Sequence, residues 1–543
     1  MDPYTDISAF QQSRLRYHPV LPEILEQSAS LKSVELEDGT LPRNDGLKTL
    51  FPLTGELPAI KLENDLNDQK IGGKPLRVGV FFSGGQAPGG HNVITGLYDA
   101  LQKYHPESSL FGFLGGPSGL ISGKSKPITA ALLQNYQNLG GFDLLGSDRT
   151  KFETSTQIRI LENVKKMDLD GLVVIGGDDS NTNAAFLAEY FLAQKCKTKV
   201  IGVPKTIDGD LKGSLIECSF GFDTASKTYS AIIGNLARDL ISAKKYYYFV
   251  KLMGRSASSV TLECALQTHP NYALIGEEIA AKGLLLSDVV QLLTDLICER
   301  SKRSKEYGLI LVPEGLLEFI PDCHALIKEL SVIEKHHSKE VITDQLSAEA
   351  KSCFLLLPEM VQNQLLLDLD PHGNLQVSKI ETERLLIALV SSELEQRKAR
   401  GEYAGKFNAQ PLFCGYEGRS CSPSNFDANY CYALGHVAAG LIQNNLTGYM
   451  AAVKGLSDSV SNWQPIGVPL VSLMDFEERK GVQKAVIRKA LVNLKGKPYL
   501  FFKEQCDHWA YEDDYCYPGP IQYFGPKELT EQITYTLALE SNR

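Results

Sequence analysis

The 543-residue chain is first informative through what it lacks. Its eleven cysteines are odd in number, scattered and never spaced as CxxC, so neither a disulfide framework nor a zinc site is indicated. They read as the reduced thiols of a cytoplasmic protein. No stretch reaches the roughly 18 apolar residues of a membrane span. The longest candidate, 431–442, is interrupted by His436, and the N-terminal MDPYTDISAFQQS has neither the basic region nor the apolar core of an export signal. Positive charge is not in excess: 55 Lys and Arg stand against 65 Asp and Glu, a net charge of −10. That balance excludes coating nucleic acid or an anionic membrane by bulk charge, though a local cationic pocket remains compatible with it. The doublet His336-His337 has no third ligand at metal-binding spacing and reads as solvated helix surface.

What is present is material for large cores, with 43% hydrophobic and 22% charged residues. At roughly 150 residues per domain the length calls for more than one domain. Short apolar runs end in glycine and are followed by amphipathic stretches: 76–83 (LRVGVFFS), 172–177 (LVVIGG), 199–203 (KVIGV) and 308–315 (GLILVPEG). This is the rhythm of parallel strands feeding helices, so the fold class is α/β, doubly wound. Val93, Leu97 and Leu101 recur at helical spacing directly after the first run. Residues 1–73 are polar and read as an N-terminal extension, with a helix near 21–27 and a turn at 71–74. The stretch from about 316 to 410 is rich in Leu, Glu, Lys and Gln and predicts a mostly helical insertion. Residues 491–543 read as a C-terminal tail with a late helix over 528–539.

The 46 glycines bunch at the strand ends. Ser83-Gly84-Gly85-Gln86-Ala87-Pro88-Gly89-Gly90 opens a helix, and its backbone amides suit an anion, yet it is neither GxGxxG nor GxxxxGK[ST]. Alone it serves equally well as a tight turn. Gly176-Gly177-Asp178-Asp179-Ser180 sets two carboxylates beside a second such turn. They would repel a phosphate unless a divalent cation lay between, or they simply cap the following helix. Pro204-Lys205-Thr206-Ile207-Asp208-Gly209-Asp210 gathers a cation, a hydroxyl and two carboxylates, a set able to stabilise a transferring phosphate and deprotonate an alcohol. Three polar loops at the C-terminal ends of neighbouring strands are what an α/β ligand site requires.

Taken in order, GGQAPGGHN, GSDR (146–149), GGDDS, PKTIDGD, GFDTA (221–225), MGR (253–255), PEG (313–315) and GYEGR before Ser422-Pro423 resemble the motif series of the phosphofructokinase family. The resemblance implies two Rossmann-like doubly wound domains. One spans 74–222 with about 424–490 and binds pyrophosphate and Mg²⁺; the other spans 223–423, includes the insertion, and binds fructose 6-phosphate. At two positions the chain matches the pyrophosphate-dependent branch: Asp179 replaces a glycine of ATP-dependent members, and Lys205 replaces a small residue. A carboxylate at 179 would take the place and charge of a nucleotide α-phosphate and so disfavour ATP.

The resemblance further implies that Asp208 is the general base for the sugar 1-hydroxyl, that Lys205 and Arg149 stabilise the phosphates, and that Gly84 or Gly85 offers amides to pyrophosphate. Asp178 would bind Mg²⁺, directly or through water. Thr206, Ile207, Met253, Gly254, Arg255 and Glu314 would contact the sugar phosphate, with Tyr416 and Arg419 near its 6-phosphate. Tyr416 stands where ATP-dependent members have histidine. Lys245 and Tyr246 would complete the site of a neighbouring subunit, implying at least a homodimer, whereas Gln410 replaces a second shared arginine. The expected activity is reversible phosphoryl transfer from pyrophosphate to fructose 6-phosphate in glycolysis. The alternatives are an ATP-dependent 6-phosphofructokinase, a non-catalytic regulatory subunit, or a sugar-phosphate sensor. No nucleic-acid or membrane partner is expected.

Overall fold

The computed structural model describes residues 7–541 except 28–29, 38–40, 42–43, 66–72, 334–338, 368–379 and 480–481. His336-His337 and the first half of the 71–74 turn therefore lie outside the described residues. The chain divides into two compact units, one comprising Met1–Ala225, Tyr416–Ala490 and Ile521–Ile533, the other Ser226–Gly415, Leu491–Pro520 and Thr534–Arg543.

Five parallel strands form the centre of the first unit's sheet, in the spatial order Ser109–Phe113, Arg77–Ser83, Gly171–Gly176, Lys199–Thr206 and Tyr449–Lys454. Counted along the chain this is the doubly wound order 2-1-3-4-5, which changes direction between Arg77–Ser83 and Gly171–Gly176. Such a switch point opens a crevice at the carboxyl ends of the strands. The strand Gly171–Gly176 (GLVVIG) is buried at every residue, as expected of a parallel strand covered on both faces. Antiparallel strands extend the sheet: Gln464–Pro469, Ile60–Asn64 and Leu31–Glu35 on one side, Ser125–Ile128 on the other.

Residues 1–73 are thus no appendage, since two of their strands widen the sheet. Arg14 in the helix Ala9–Leu15 is fully buried. Its guanidinium donates to Asn425 Oδ1 at 2.6 Å and to the Pro423 carbonyl at 2.7 Å, and lies over the rings of Tyr17 and Tyr523.

The second unit holds a parallel sheet in the order Tyr272–Ala273, Gly308–Pro313, Tyr247–Leu252 and Ala409–Cys414. The segment expected to be a helical insertion carries the helices Leu316–Phe319, Pro321–Val332, Lys339–Gln345, Ala348–Leu356, Glu359–Leu367 and Thr382–Ala399. Its Leu330, Phe354, Leu386 and Val390 share one core with Phe249 and Val312 of the sheet, so it is built into the unit.

The C-terminal stretch is divided between the units. Lys497–Tyr511 packs in the second, where buried Arg300 donates to the Ala510 carbonyl at 2.8 Å and to Asp513 at 2.9 Å. The single helix expected over 528–539 is instead two, Lys527–Thr530 and Tyr535–Glu540. The buried Glu263 carboxylate accepts from the amides of Tyr535 and Thr536, both at 2.7 Å, and so starts a new helix there. The apolar run 431–442 lies inside the buried helix Asn425–Gln443, and among the described residues no helix is long and apolar enough to cross a membrane. All eleven cysteines are free thiols.

Candidate active site

In the first unit the three glycine-rich loops converge because their strands are neighbours. Gly84 follows Arg77–Ser83 with φ of +86°, a left-handed conformation that glycine adopts without strain. Its amide donates to the Asp148 carbonyl at 2.9 Å, and its carbonyl accepts from Ser147 Oγ at 2.7 Å. These contacts bring the short strand Ser147–Asp148, and Arg149 after it, to the loop. Ser180 Oγ donates to Ser83 Oγ at 2.8 Å, tying the first two loops together, while Asn181 Nδ2 donates to the carbonyls of Gly176 and Gly177 within the second.

Three cations gather at this turn. Lys205 Nζ donates to the Gly85 carbonyl at 2.7 Å. A side chain at Gly85 would place its Cβ 3.0 Å from Arg419 Nη1 and 3.5 Å from Arg149 Nη2, so the glycine leaves the cations their space. Lys205 is almost fully buried, and its ammonium is lowered to a pKa of about 8. Burial is the main cause, followed by repulsion from Arg419, with Arg149 adding to it while Asp208 and Asp178 oppose. Like charges this close, one of them buried, are held together at an electrostatic cost, an arrangement able to receive an anion.

Asp208 faces this cluster. One of its carboxylate oxygens lies 3.9 Å from Arg419 Nη2, and that oxygen is buried with no hydrogen-bond donor. An unsatisfied buried acceptor beside an anion receptor suits a base awaiting a hydroxyl. The Asp208 amide donates to Thr206 Oγ1 at 3.0 Å, which fixes the loop. Ile207 is fully buried, backbone and side chain alike.

Asp178 and Asp179 occupy the first turn of Asp178–Ala193, with Asp179 exposed. Asp178 Oδ2 lies 3.8 Å from Lys489 Nζ. Asp210 is buried, and its carboxyl is pushed up to about 7 by burial first and then by Asp208 and Asp178. Among the described residues these three carboxylates do not form a ready cage of converging oxygens. The set fits Mg²⁺, which binds through one or two carboxylates, water and phosphate oxygens.

In the second unit Met253, Gly254 and Arg255 follow the strand Tyr247–Leu252, and the Gly254 amide donates to Glu314 Oε2 at 3.2 Å. This joins the MGR and PEG motifs at the ends of two paired strands. Lys245 and Tyr246 lie at the opposite end of Tyr247–Leu252, and Gln410 pairs with Tyr248 near that same end. Six extended residues span about 20 Å, so within one chain Lys245 is far from Arg255.

Residues 77–442 match the family model described as Phosphofructokinase. The chain belongs to the phosphofructokinase family. It is 49% identical over 98% of its length to a Treponema pallidum protein named pyrophosphate–fructose 6-phosphate 1-phosphotransferase, covering 97% of that protein. It is 47% identical to the subunit beta of the enzyme of that name from Solanum tuberosum, over 98% of this chain and 94% of the relative. A crystal structure titled pyrophosphate-dependent phosphofructokinase from Nitrosospira multiformis superposes with a TM-score of 0.53 at 15% identity, covering 81% of this chain and 93% of that one, a likeness of fold.

Tyr416 and Arg419, expected near a 6-phosphate, belong to the first unit, where Tyr416 is 71% exposed and Arg419 lies against Gly85 and Asp208. Two further charged residues at the site, Asp210 and Lys489, have no individual role in the motif series. Asp210 was visible in PKTIDGD, but its burial was not. Lys489 lies well beyond the last motif and carries no local signal.

Proposed function

We propose that this chain transfers a phosphoryl group reversibly between pyrophosphate and the 1-hydroxyl of fructose 6-phosphate, giving fructose 1,6-bisphosphate and phosphate. The observation that carries the reading is the trio Lys205, Arg149 and Arg419 around Gly85, faced by the Asp208 carboxylate oxygen that has no hydrogen-bond donor. The names of the relatives support pyrophosphate as the donor.

Asp208 accepts the proton of the 1-hydroxyl as the new P–O bond forms; a weak base suffices because proton loss accompanies bond formation. Lys205 and the two arginines hold charge against the transferring phosphoryl group and the departing phosphate, where it redistributes in the transition state. Gly84 and Gly85 offer amides to pyrophosphate, and Thr206, backed by buried Ile207, borders the sugar phosphate. Asp178 would hold Mg²⁺, directly or through water, and the ion would supply positive charge against pyrophosphate. Met253, Gly254, Arg255 and Glu314 recognise the sugar phosphate, and Tyr416 serves as a further contact to it. Lys245 and Tyr246 serve the site of a second copy, a reading favoured by their distance along the strand from Arg255. The active unit is then at least a homodimer working in the cytoplasm.

The test is fructose 1,6-bisphosphate formation by purified protein with pyrophosphate or ATP, each with Mg²⁺. Turnover is expected with pyrophosphate, and Asp179→Gly should raise use of ATP. Strong ATP use by the native chain would overturn the donor assignment, and turnover with neither donor would overturn the enzyme.

A further inference from the structure

The hairpin Met474–Arg479 and Val482–Ile487 lies outside every motif, yet it delivers a cation to the acidic side of the site. The Ile487 amide donates to Thr182 Oγ1 at 2.9 Å, on the helix that begins with Asp178. Three residues on, the Ala490 amide donates to the Asp210 carbonyl at 2.6 Å. Lys489 is pinned between these anchors, its ammonium 3.8 Å from Asp178 and both side chains about a quarter exposed. It also lines a cavity of about 290 Å³ with Lys212 and Arg488, so its stem has room to move. The other three cations lie at Gly85, and Lys489 is the positive charge beside Asp178, the carboxylate proposed above for the metal.

We propose that Lys489 is a further pyrophosphate-binding residue, which neutralises Asp178 before Mg²⁺ binds and turns to pyrophosphate when Mg²⁺ takes Asp178. The proposal rests on Asp178 being the metal ligand. An ammonium and a divalent ion cannot both neutralise one carboxylate without repelling each other, whereas pyrophosphate arriving with the metal supplies the ammonium with a new anion.

This gives two effects of opposite sign. Mn²⁺ standing in for Mg²⁺ is titrated without pyrophosphate into native protein, Lys489→Met, Lys489→Arg and Asp178→Asn, following loss of the free-ion EPR signal. KM is then measured for both substrates. Lys489→Met should bind Mn²⁺ about three- to tenfold more tightly, raise the KM for pyrophosphate about tenfold, and leave that for fructose 6-phosphate unchanged. Lys489→Arg should restore native values. If Asp178→Asn binds Mn²⁺ like the native chain, the metal assignment fails. If Asp178→Asn loses Mn²⁺ while Lys489→Met shifts neither quantity, or worsens both KM values together, the role of Lys489 fails by itself.

Discussion

Replacing Lys205 with methionine sets stability against activity, and the structure fixes both signs. Methionine keeps the length and apolar stem but removes a charge that is 5% exposed. Burial lowers the ammonium from 10.5 to about 8. At about 1.4 kcal/mol per unit, holding it protonated at pH 7 costs the fold about 3 kcal/mol. Loss of the bond to the Gly85 carbonyl gives back about 1 kcal/mol, so the unliganded variant should be more stable by about 2 kcal/mol and melt a few degrees higher. Because the folded pKa lies below the unfolded one, the native state binds fewer protons between about pH 8 and 10.5, and native stability rises with pH across that window. The gap between variant and native protein should therefore be full below pH 8 and close toward pH 10. Activity should move the other way. In the proposed reaction Lys205 faces the transferring phosphate, so losing its charge should remove about 4 kcal/mol of transition-state stabilisation, about a thousandfold in kcat. Thermal melts at pH 7 and pH 10 without phosphate, together with product formation from pyrophosphate, test both halves. A variant that melts lower at pH 7, or one that keeps kcat within about tenfold of native, would refute the reasoning.

Asp208→Asn keeps the side-chain shape at an oxygen that has no hydrogen-bond donor, so it should fold normally and bind pyrophosphate within a few-fold, while turnover falls by about 10³ to 10⁴; calorimetry and initial rates separate the two. If Lys245 serves the neighbouring site, inactive Asp208→Ala and inactive Lys245→Ala chains should complement. Unfolding, mixing and refolding them together should recover about a quarter of native activity through mixed dimers with one intact site. No recovery from mixed dimers of demonstrated composition would place Lys245 elsewhere.

Much of the site was legible because phosphate chemistry writes itself locally. Gly84-Gly85, Asp178-Asp179 and Lys205 to Asp210 each sit within a few residues at a strand end, and parallel strands announce themselves as unbroken apolar runs such as GLVVIG. The fold class and the three loops followed from those patterns. The converging cations did not, because Arg149 and Arg419 meet at Gly85 only after distant segments return to one sheet. Nor did the ends of the chain show their place. The strands Leu31–Glu35 and Ile60–Asn64 pair with partners far along the sequence or with each other, and the break before Tyr535 depends on Glu263, which lies more than 250 residues away.

The sequence by itself determined which chemical groups are available and the strand ends that carry them, since backbone turns and hydrophobic periodicity are local properties. Only the tertiary structure decided which charges share a space, and so which is costly. Lys205 reads as an ordinary lysine until its burial lowers its pKa to about 8; Asp210 reads as a turn residue until Asp208 and Asp178 crowd it; Lys489 carries no signal until a hairpin brings it to Asp178. Coulombic energy and desolvation depend on distance through space, which the order of residues along the chain does not record.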